Sequence, residues 1–501
     1  MTHREPGRGQ YRVTHRGTTG TTDDHCASGS LTTIGAFTIE AGEGVRVTAL
    51  ETPQVSLCLL GSVVDYSQPR RPIREALAET AASLEAGGVE SAAVATRFLG
   101  GRWLLLWHAL GRTYAFQDPT GMMRLFHMGS GDSMVVGSDP SLICDDESFS
   151  LPAAAYAALV SGEYWWPGPV SPMPGLRQLL PNHYLCLNDC STTRCWPMGA
   201  LPRLSLAEAT SRCSELLMNG IAGLDSLPQG LCLGLTAGVD TRVLLAATRS
   251  IADRCEYFTF RYATMSHSHD DPVVATRLAR RFGLSFTIID TPPKMSDCFA
   301  PMYRSRVIGA HSQWGPLAEA MLHSPLAPRL LLKGCPGLDS FRDAFGSHPD
   351  ESVDPAFLRE LGKLPDIDSV NQSLAEWHRA ALSWQQRDPD DIRLDELFYW
   401  EQRLAGWQAM SQEEYGLVQE SFSPFNCRAV CETLLGLGRE YRGEWDWTFP
   451  RELVRAMWPE LLRIPINPSK VRWQTNVRLR LRKGFPRAHA YYKHVRGRLQ
   501  T

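Results

Sequence analysis

Leu233-Gly234-Leu235-Thr236-Ala237-Gly238-Val239-Asp240-Thr241-Arg242 is the stretch that decides how the chain is read. The apolar run entering it, residues 230–235 (GLCLGL), reads as a buried strand. A turn of small residues follows, and residues 239–249 (VDTRVLLAATR) read as a helix. Strand, small-residue turn and helix together present backbone N–H groups and a helix N-terminus to an anion. Ala237 and Gly238 let the backbone approach closely, and Thr236 and Thr241 add hydroxyl donors. Asp240 is wrong for holding phosphate alone, but suits a Mg²⁺ ion set between carboxylate and phosphate.

Around this stretch the chain alternates. Strands are expected at 231–235, 256–261 (EYFTFR), 285–289 (SFTII) and 329–333 (RLLLK), with helices at 240–249, at 271–282 and around 317–322. Such alternation means a parallel sheet wound with helices on both faces. Ligands of such sheets bind at the carboxyl ends of the strands, where this loop lies. Ser205 with Glu208 forms a capping box for a helix over 206–222, and a domain boundary falls near 201–206.

The first half reads differently. Short strands at 32–39, 45–50, 55–60, 102–108, 113–117, 124–128 and 134–138, with a helix over 73–84, suggest a sheet-rich α+β domain. Residues 1–30 are polar and read as a flexible N-terminus. Residues 162–175, rich in Gly, Pro and aromatics, read as a connector.

The 501 residues suggest two or three domains, and a net charge of −3 gives no electrostatic pointer for the whole chain. No apolar run approaches the ~20 residues that cross a bilayer, and the first 30 residues lack a signal peptide's apolar stretch. The odd count of 13 cysteines, without a repeating framework, reads as reduced thiols in a cytoplasmic protein. His183, Cys186, Cys190 and Cys195 crowd together like a zinc set, but residues 182–187 alternate like a strand, which would send their side chains to both faces. Residues 461–501 carry eleven Lys or Arg and no Asp or Glu, a block suited to phosphates, nucleic acid or an acidic peptide. The alternation within 477–483 (VRLRLRK) equally describes an amphipathic edge.

Thr236-Ala237-Gly238-Val239-Asp240-Thr241 resembles the Ser-Gly-Gly-x-Asp-Ser pyrophosphate loop of ATP pyrophosphatases, and of the asparagine synthetase / β-lactam synthetase family in particular. Ala237 stands where the family has its first Gly. Gly334-Cys335-Pro336-Gly337-Leu338-Asp339 resembles the family's Gly-x-Gly-x-Asp-Glu segment with one extra residue. Gly101-Arg102-Trp103-Leu104-Leu105-Leu106-Trp107, Asp118-Pro119-Thr120-Gly121 and Val136-Gly137-Ser138-Asp139-Pro140 resemble the later half of the family's N-terminal domain. Glu420-Ser421-Phe422-Ser423-Pro424-Phe425-Asn426 resembles its Glu-Ala-Arg-x-Pro-Phe-Leu-Asp segment, with Phe422 in place of Arg, and Lys470 lies where the family has a catalytic Lys.

The resemblance implies an αββα sandwich of the Ntn glutaminase type over 31–203. A doubly wound parallel-sheet ATP-pyrophosphatase domain (adenine nucleotide α-hydrolase-like) would follow over 204–501. It implies ATP and Mg²⁺, with Leu235, Thr236, Ala237, Gly238, Asp240, Thr241, Phe260, Arg261 and Gly337 at the nucleotide. Asp240 and Asp339 would hold the metal, and Lys470 and Glu420 would be catalytic. Residue 2 is Thr where the family's glutaminase needs Cys, no glutamine-binding Arg-Gly-Pro-Asp or Asn-Gly-Glu stretch is present, and Cys26 becomes N-terminal only by processing.

The implied activity is therefore an AMP-forming amide or lactam synthetase that adenylates a carboxylate and couples it to an amine without hydrolysing glutamine. The family's Glu or Tyr at the acid–base position is Cys335-Pro336 here, which leaves the base open. The alternative is a non-catalytic member that binds nucleotide or a partner protein. Expected partners are small-molecule or peptide carboxylates and amines, a partner protein or acidic ligand on the basic tail, and a second copy as a homodimer, with no membrane.

Overall fold

The computed structural model describes residues 5–16, 30–144, 165–171, 173–197, 199–266, 268–306, 314–338, 353–385, 392–442 and 447–468. Among these, seventeen strands form three sheets. The first holds β1 (Tyr11–His15), β2 (Ser30–Ile34), β3 (Phe37–Ala41), β8 (Phe126–Met128), β9 (Val135–Gly137) and β10 (Arg177–Gln178), in the order β10-β8-β9-β1-β3-β2. The second holds β4 (Val47–Glu51), β5 (Val55–Asp65), β6 (Leu99–Ala109), β7 (Arg112–Gln117), β11 (His183–Cys186) and β12 (Thr192–Arg194), in the order β12-β11-β7-β6-β5-β4. All pairing in these two sheets is antiparallel.

A period of two explains how they stack. Cys58, Leu60, Leu104 and Leu106 face the first sheet and meet Tyr11, Val13, Phe37 and Ile39. Leu57, Leu59, Trp103, Leu105 and Trp107 face the other way, onto Leu77, Ala81 and Leu84 of the helix Ile73–Gly87. Two readings are corrected here. Residues 11–15 are not loosely attached: β1 lies between β3 and β9, with Tyr11 and Val13 fully buried. Five alternating residues in a polar background carry too little apolar signal to stand out. The single strand expected over 32–39 is the β2–β3 hairpin, turned at Gly35 with φ +54°.

The third sheet holds β13 (Leu231–Gly234), β14 (Cys255–Arg261), β15 (Phe286–Asp290), β16 (Leu330–Leu332) and β17 (Ser421–Phe422), all parallel, in the order β15-β14-β13-β16-β17. The chain builds outward from β13 in one direction and then from β16 in the other. The crevice between β13 and β16 is thus a topological switch point, the place where sheets of this kind receive ligands. The helix Leu206–Ala222 precedes this sheet and begins with the expected box: Ser205 Oγ accepts from Glu208 N, and the Glu208 carboxylate accepts from Ser205 N.

The antiparallel and parallel parts share one apolar core. Asn426, fully buried, joins them. Its amide nitrogen donates to Gly101 O and to Asp118 Oδ1, both at 2.7 Å, and its side-chain oxygen accepts from Thr120 Oγ1 at 2.8 Å. Its backbone carbonyl accepts from Gly101 N at 2.9 Å. Asp118 in turn accepts from the amides of Met122 and Met123. A second junction lies on the π-helix Tyr399–Gln408, where the buried Glu401 carboxylate takes Arg194 through both oxygens and accepts from Asn182 and Trp377. Asn426→Ala strips the first junction and leaves buried groups unpaired. We expect a loss of about 2–4 kcal/mol in urea unfolding; a loss under about 1 kcal/mol would show the junction to be incidental.

Candidate nucleotide site

At the end of β13, Leu235 N donates to Phe258 O at 2.6 Å and prolongs the parallel ladder by one residue. The turn is then closed by its own hydroxyls. Thr236 Oγ1 and Thr241 Oγ1 lie 2.9 Å apart, Thr236 Oγ1 accepts from Gly238 N at 3.1 Å, and Thr241 Oγ1 accepts from Thr236 N at 3.3 Å. Ala237 is buried and is not at positive φ, so its methyl group brings no backbone strain. Gly238 (φ −69°, ψ 165°) starts the helix Val239–Ala247 without a side-chain cap. A helix N-terminus without such a cap offers its first N–H groups and its dipole to an anion.

The second loop reaches the first at Asp240. Leu338 N, past the end of β16, donates to Asp240 Oδ1 at 3.0 Å. Gly337 packs so close that a Cβ there would stand 2.7 Å from Asp240 Cγ and 2.6 Å from Gly334 O. Asp240 and Gly337 therefore sit together across the switch point. Asp339 and Lys470 lie outside the described residues.

The segment that leads to Lys470 is docked on the same loop. Asn467 N donates to Ala237 O at 2.9 Å. Arg242, one turn into the loop's helix and buried, donates to Leu461 O at 3.0 Å and to Ile464 O at 2.7 Å. Burial lowers its pKa to about 10, which still leaves it charged at neutral pH.

Three further residues surround the loop. Asp271, in the first turn of the helix Asp270–Phe282, accepts from Ala237 N at 2.8 Å. The cap of that helix is His269, whose Nδ1 accepts from Asp271 N at 3.3 Å, so the Asp271 carboxylate is committed to the loop. Arg261 forms a two-pronged pair with Asp290 at 2.5 and 2.7 Å across the ends of β14 and β15. Phe260 packs edge-on to Phe258. Beyond these strand ends lies a cavity of about 990 Å³, lined by Tyr262, Thr264, Thr291, Lys294, Arg304 and Trp314 among others. Tyr262 links cavity and loop: burial, and then the charge of Asp271, raise its hydroxyl pKa.

Glu420 is elsewhere, contrary to its expected catalytic place. It precedes β17 at the amino end of the sheet, where its carbonyl accepts from Leu331 N. Its carboxylate binds Ser62 Oγ and lies 3.4 Å from Gln229 Nε2 and 3.5 Å from Arg46 Nε. The motif's order placed Glu420 near the loop, but the two residues of β17, at ~3.3 Å each, separate it from the carboxyl edge. Phe422 points into the core, fully buried. The crowded His and Cys residues also diverge: His183 Nδ1 bonds Pro181 O, Cys195 Sγ bonds Asn182 O, and Cys190 Sγ lies 3.2 Å from His127 Nδ1.

One residue escaped the sequence reading. Lys333, at the carboxyl end of β16, donates to Ser411 O at 2.9 Å and places Nζ 4.2 Å from the centre of the Tyr415 ring. Burial pulls its pKa down to about 8. The only available signal was a lysine ending an otherwise apolar strand, and that is also how an ordinary strand end looks.

No family model matches the chain, and no curated protein matches it. Among solved structures it is similar to a glutamine-dependent NAD+ synthetase from Acinetobacter baumannii in complex with ADP, at 18% identity, over 29% of this chain and 26% of that one, with a TM-score of 0.17. It therefore spans about a quarter of that protein's length. An NH3-dependent NAD synthetase from Campylobacter jejuni is similar at 12% identity over 37% of this chain and 78% of that one, TM-score 0.19. An NMN synthetase from Francisella tularensis is similar at 14% identity over 42% and 96%, TM-score 0.21. Likenesses of this size leave function to be read from the site.

Gly337→Ala forces a methyl group onto the Asp240 carboxylate. It is expected to cost about 1–3 kcal/mol in chemical denaturation, the usual range for overpacking. No measurable cost would mean that the two loops are not held in contact.

Proposed function

We propose that the chain is an ATP-dependent, AMP-forming ligase of the asparagine synthetase type, joining a carboxylate to an amine without hydrolysing glutamine. The observation that carries this reading is the meeting of two loops at Asp240, across the switch point and beside an uncapped helix N-terminus. In this reading the substrate carboxylate attacks the α-phosphorus of ATP, pyrophosphate leaves, and an acyl-adenylate forms. The amine then attacks the acyl carbon and AMP leaves.

The first amides of the helix Val239–Ala247 receive the departing pyrophosphate. Asp240 and Asp339 would be the two carboxylates for Mg²⁺, which takes one or two carboxylates beside phosphate oxygens and would offset the triphosphate charge. Lys470, which follows in sequence the segment that Arg242 and Ala237 anchor, would steady the developing oxyanion. The large cavity beyond β14 and β15 is the place for the nucleoside or the acid. A non-catalytic member that binds nucleotide or a partner protein is the second reading, and the Asp271 carboxylate on Ala237 N, where a phosphate oxygen would otherwise be welcome, favours its partner-protein form.

ATP–pyrophosphate exchange with Mg²⁺ across a panel of amino acids, peptides and small carboxylic acids tests the proposal. Exchange that depends on one acid, and falls at least about a hundredfold in Asp240→Asn, is expected. Absence of exchange with every acid would favour the second reading.

A further inference from the structure

The Cys335-Pro336 pair leaves the proposed reaction without a base for the amine. We propose that Lys333 is that base, an assignment that rests on the ligase reading above. Lys333 ends β16 and leads directly into Gly334, the start of the loop that touches Asp240. Residues on β16 alternate between the two faces of the sheet: Leu330 and Leu332 join one core, and Leu331 joins another with Cys232, Phe258 and Tyr415. The Lys333 side chain takes the Leu331 side, where Gly234 of β13 has no side chain and Phe260 of β14 approaches Tyr415. The amine thus lies at the carboxyl end of β16, against the helix Ala409–Gly416.

Two of its N–H bonds are occupied. Ser411 O accepts one and the face of Tyr415 another, which leaves the third position of the amine for a proton exchanged with substrate. The ring face favours the charged amine, so the neutral form of Lys333 depends on burial. The charged or titratable groups facing it are Cys335 on its own segment, Glu414 and Tyr415 on the helix Ala409–Gly416, and Arg102 on β6. Burial outweighs the favourable influence of Cys335 and Glu414, and Arg102 adds to it, so the neutral form is present near pH 8.

The step balances as follows. A neutral amine nitrogen forms the C–N bond to the acyl carbon. The C–O bond to the phosphate breaks, and its electron pair leaves with AMP. Lys333 Nζ takes the proton released by the nitrogen and later gives it to solvent.

The test compares the wild type with Lys333→Met and Lys333→Arg, using ammonium chloride as the probe amine and an acid that supports exchange. Adenylation releases no amine proton, so the ratio of amide formation to ATP–pyrophosphate exchange should fall about a hundredfold or more in both variants. At constant free NH3, amide formation by the wild type should rise with pH through about 8 as Lys333 loses its proton, and the arginine variant should lack that limb. A ratio within about threefold of wild type in Lys333→Arg overturns the assignment while leaving the ligase reading intact. Absence of exchange in the wild type removes both. Reductive ¹³C-methylation of the intact protein, followed by NMR titration, reads Lys333 without relying on the folding of any variant. A midpoint near 8 is expected, and one near the ordinary lysine value of ~10.4 overturns the assignment.

Discussion

The buried guanidinium of Arg242 is the constraint on which the candidate site depends. A charge removed from water is costly unless hydrogen bonds replace the lost solvation. Here the replacements are main-chain carbonyls, Leu461 O and Ile464 O, rather than a carboxylate. Carbonyl partners leave the cation its charge but bind it in one geometry, so the loop's helix and the 461–467 segment hold each other in place. Asn467 N on Ala237 O closes the same contact from the loop side. The turn is therefore not a local structure. It is completed by residues more than two hundred positions downstream.

The same logic runs through the rest of the chain. Asn426 and Asp118 satisfy one another between the antiparallel and parallel parts, and Glu401 does so for Arg194, Asn182 and Trp377. Each is a buried polar group fully occupied by partners from distant sequence. Together they fix how the outer sheets sit on the parallel sheet, and so fix what lies behind the switch point. Lys333 differs: its partners are a carbonyl and a ring face, with burial lowering its pKa to about 8.

Much of this was legible in residue order. Four of the five strands of the parallel sheet, its helices and the Ser205–Glu208 box follow from periodicity and capping chemistry, which act over a few residues, while only the family resemblance brought Asp240 and Gly337 to one site. What was missed acts over long distances. β1 is a strand because β3 and β9 accept it, not because its composition demands it. Glu420 stands in a familiar motif, yet the register of β17 against β16 puts it at the wrong edge. Asp271 opens an expected helix, and only the approach of the loop gives its carboxylate a partner in Ala237 N. Lys333 acquires its chemistry from burial, which sequence spacing does not report.

The central claim is that the two loops joined at Asp240 form a site for ATP accompanied by Mg²⁺. Calorimetric titration of ATP into the protein, once with Mg²⁺ and once with EDTA in its place, tests it most directly. The predicted result is saturable binding with Mg²⁺ and an affinity at least about tenfold weaker without it, a difference of about 1.4 kcal/mol. Equal affinity under both conditions, or no binding of ATP under either, would contradict the account.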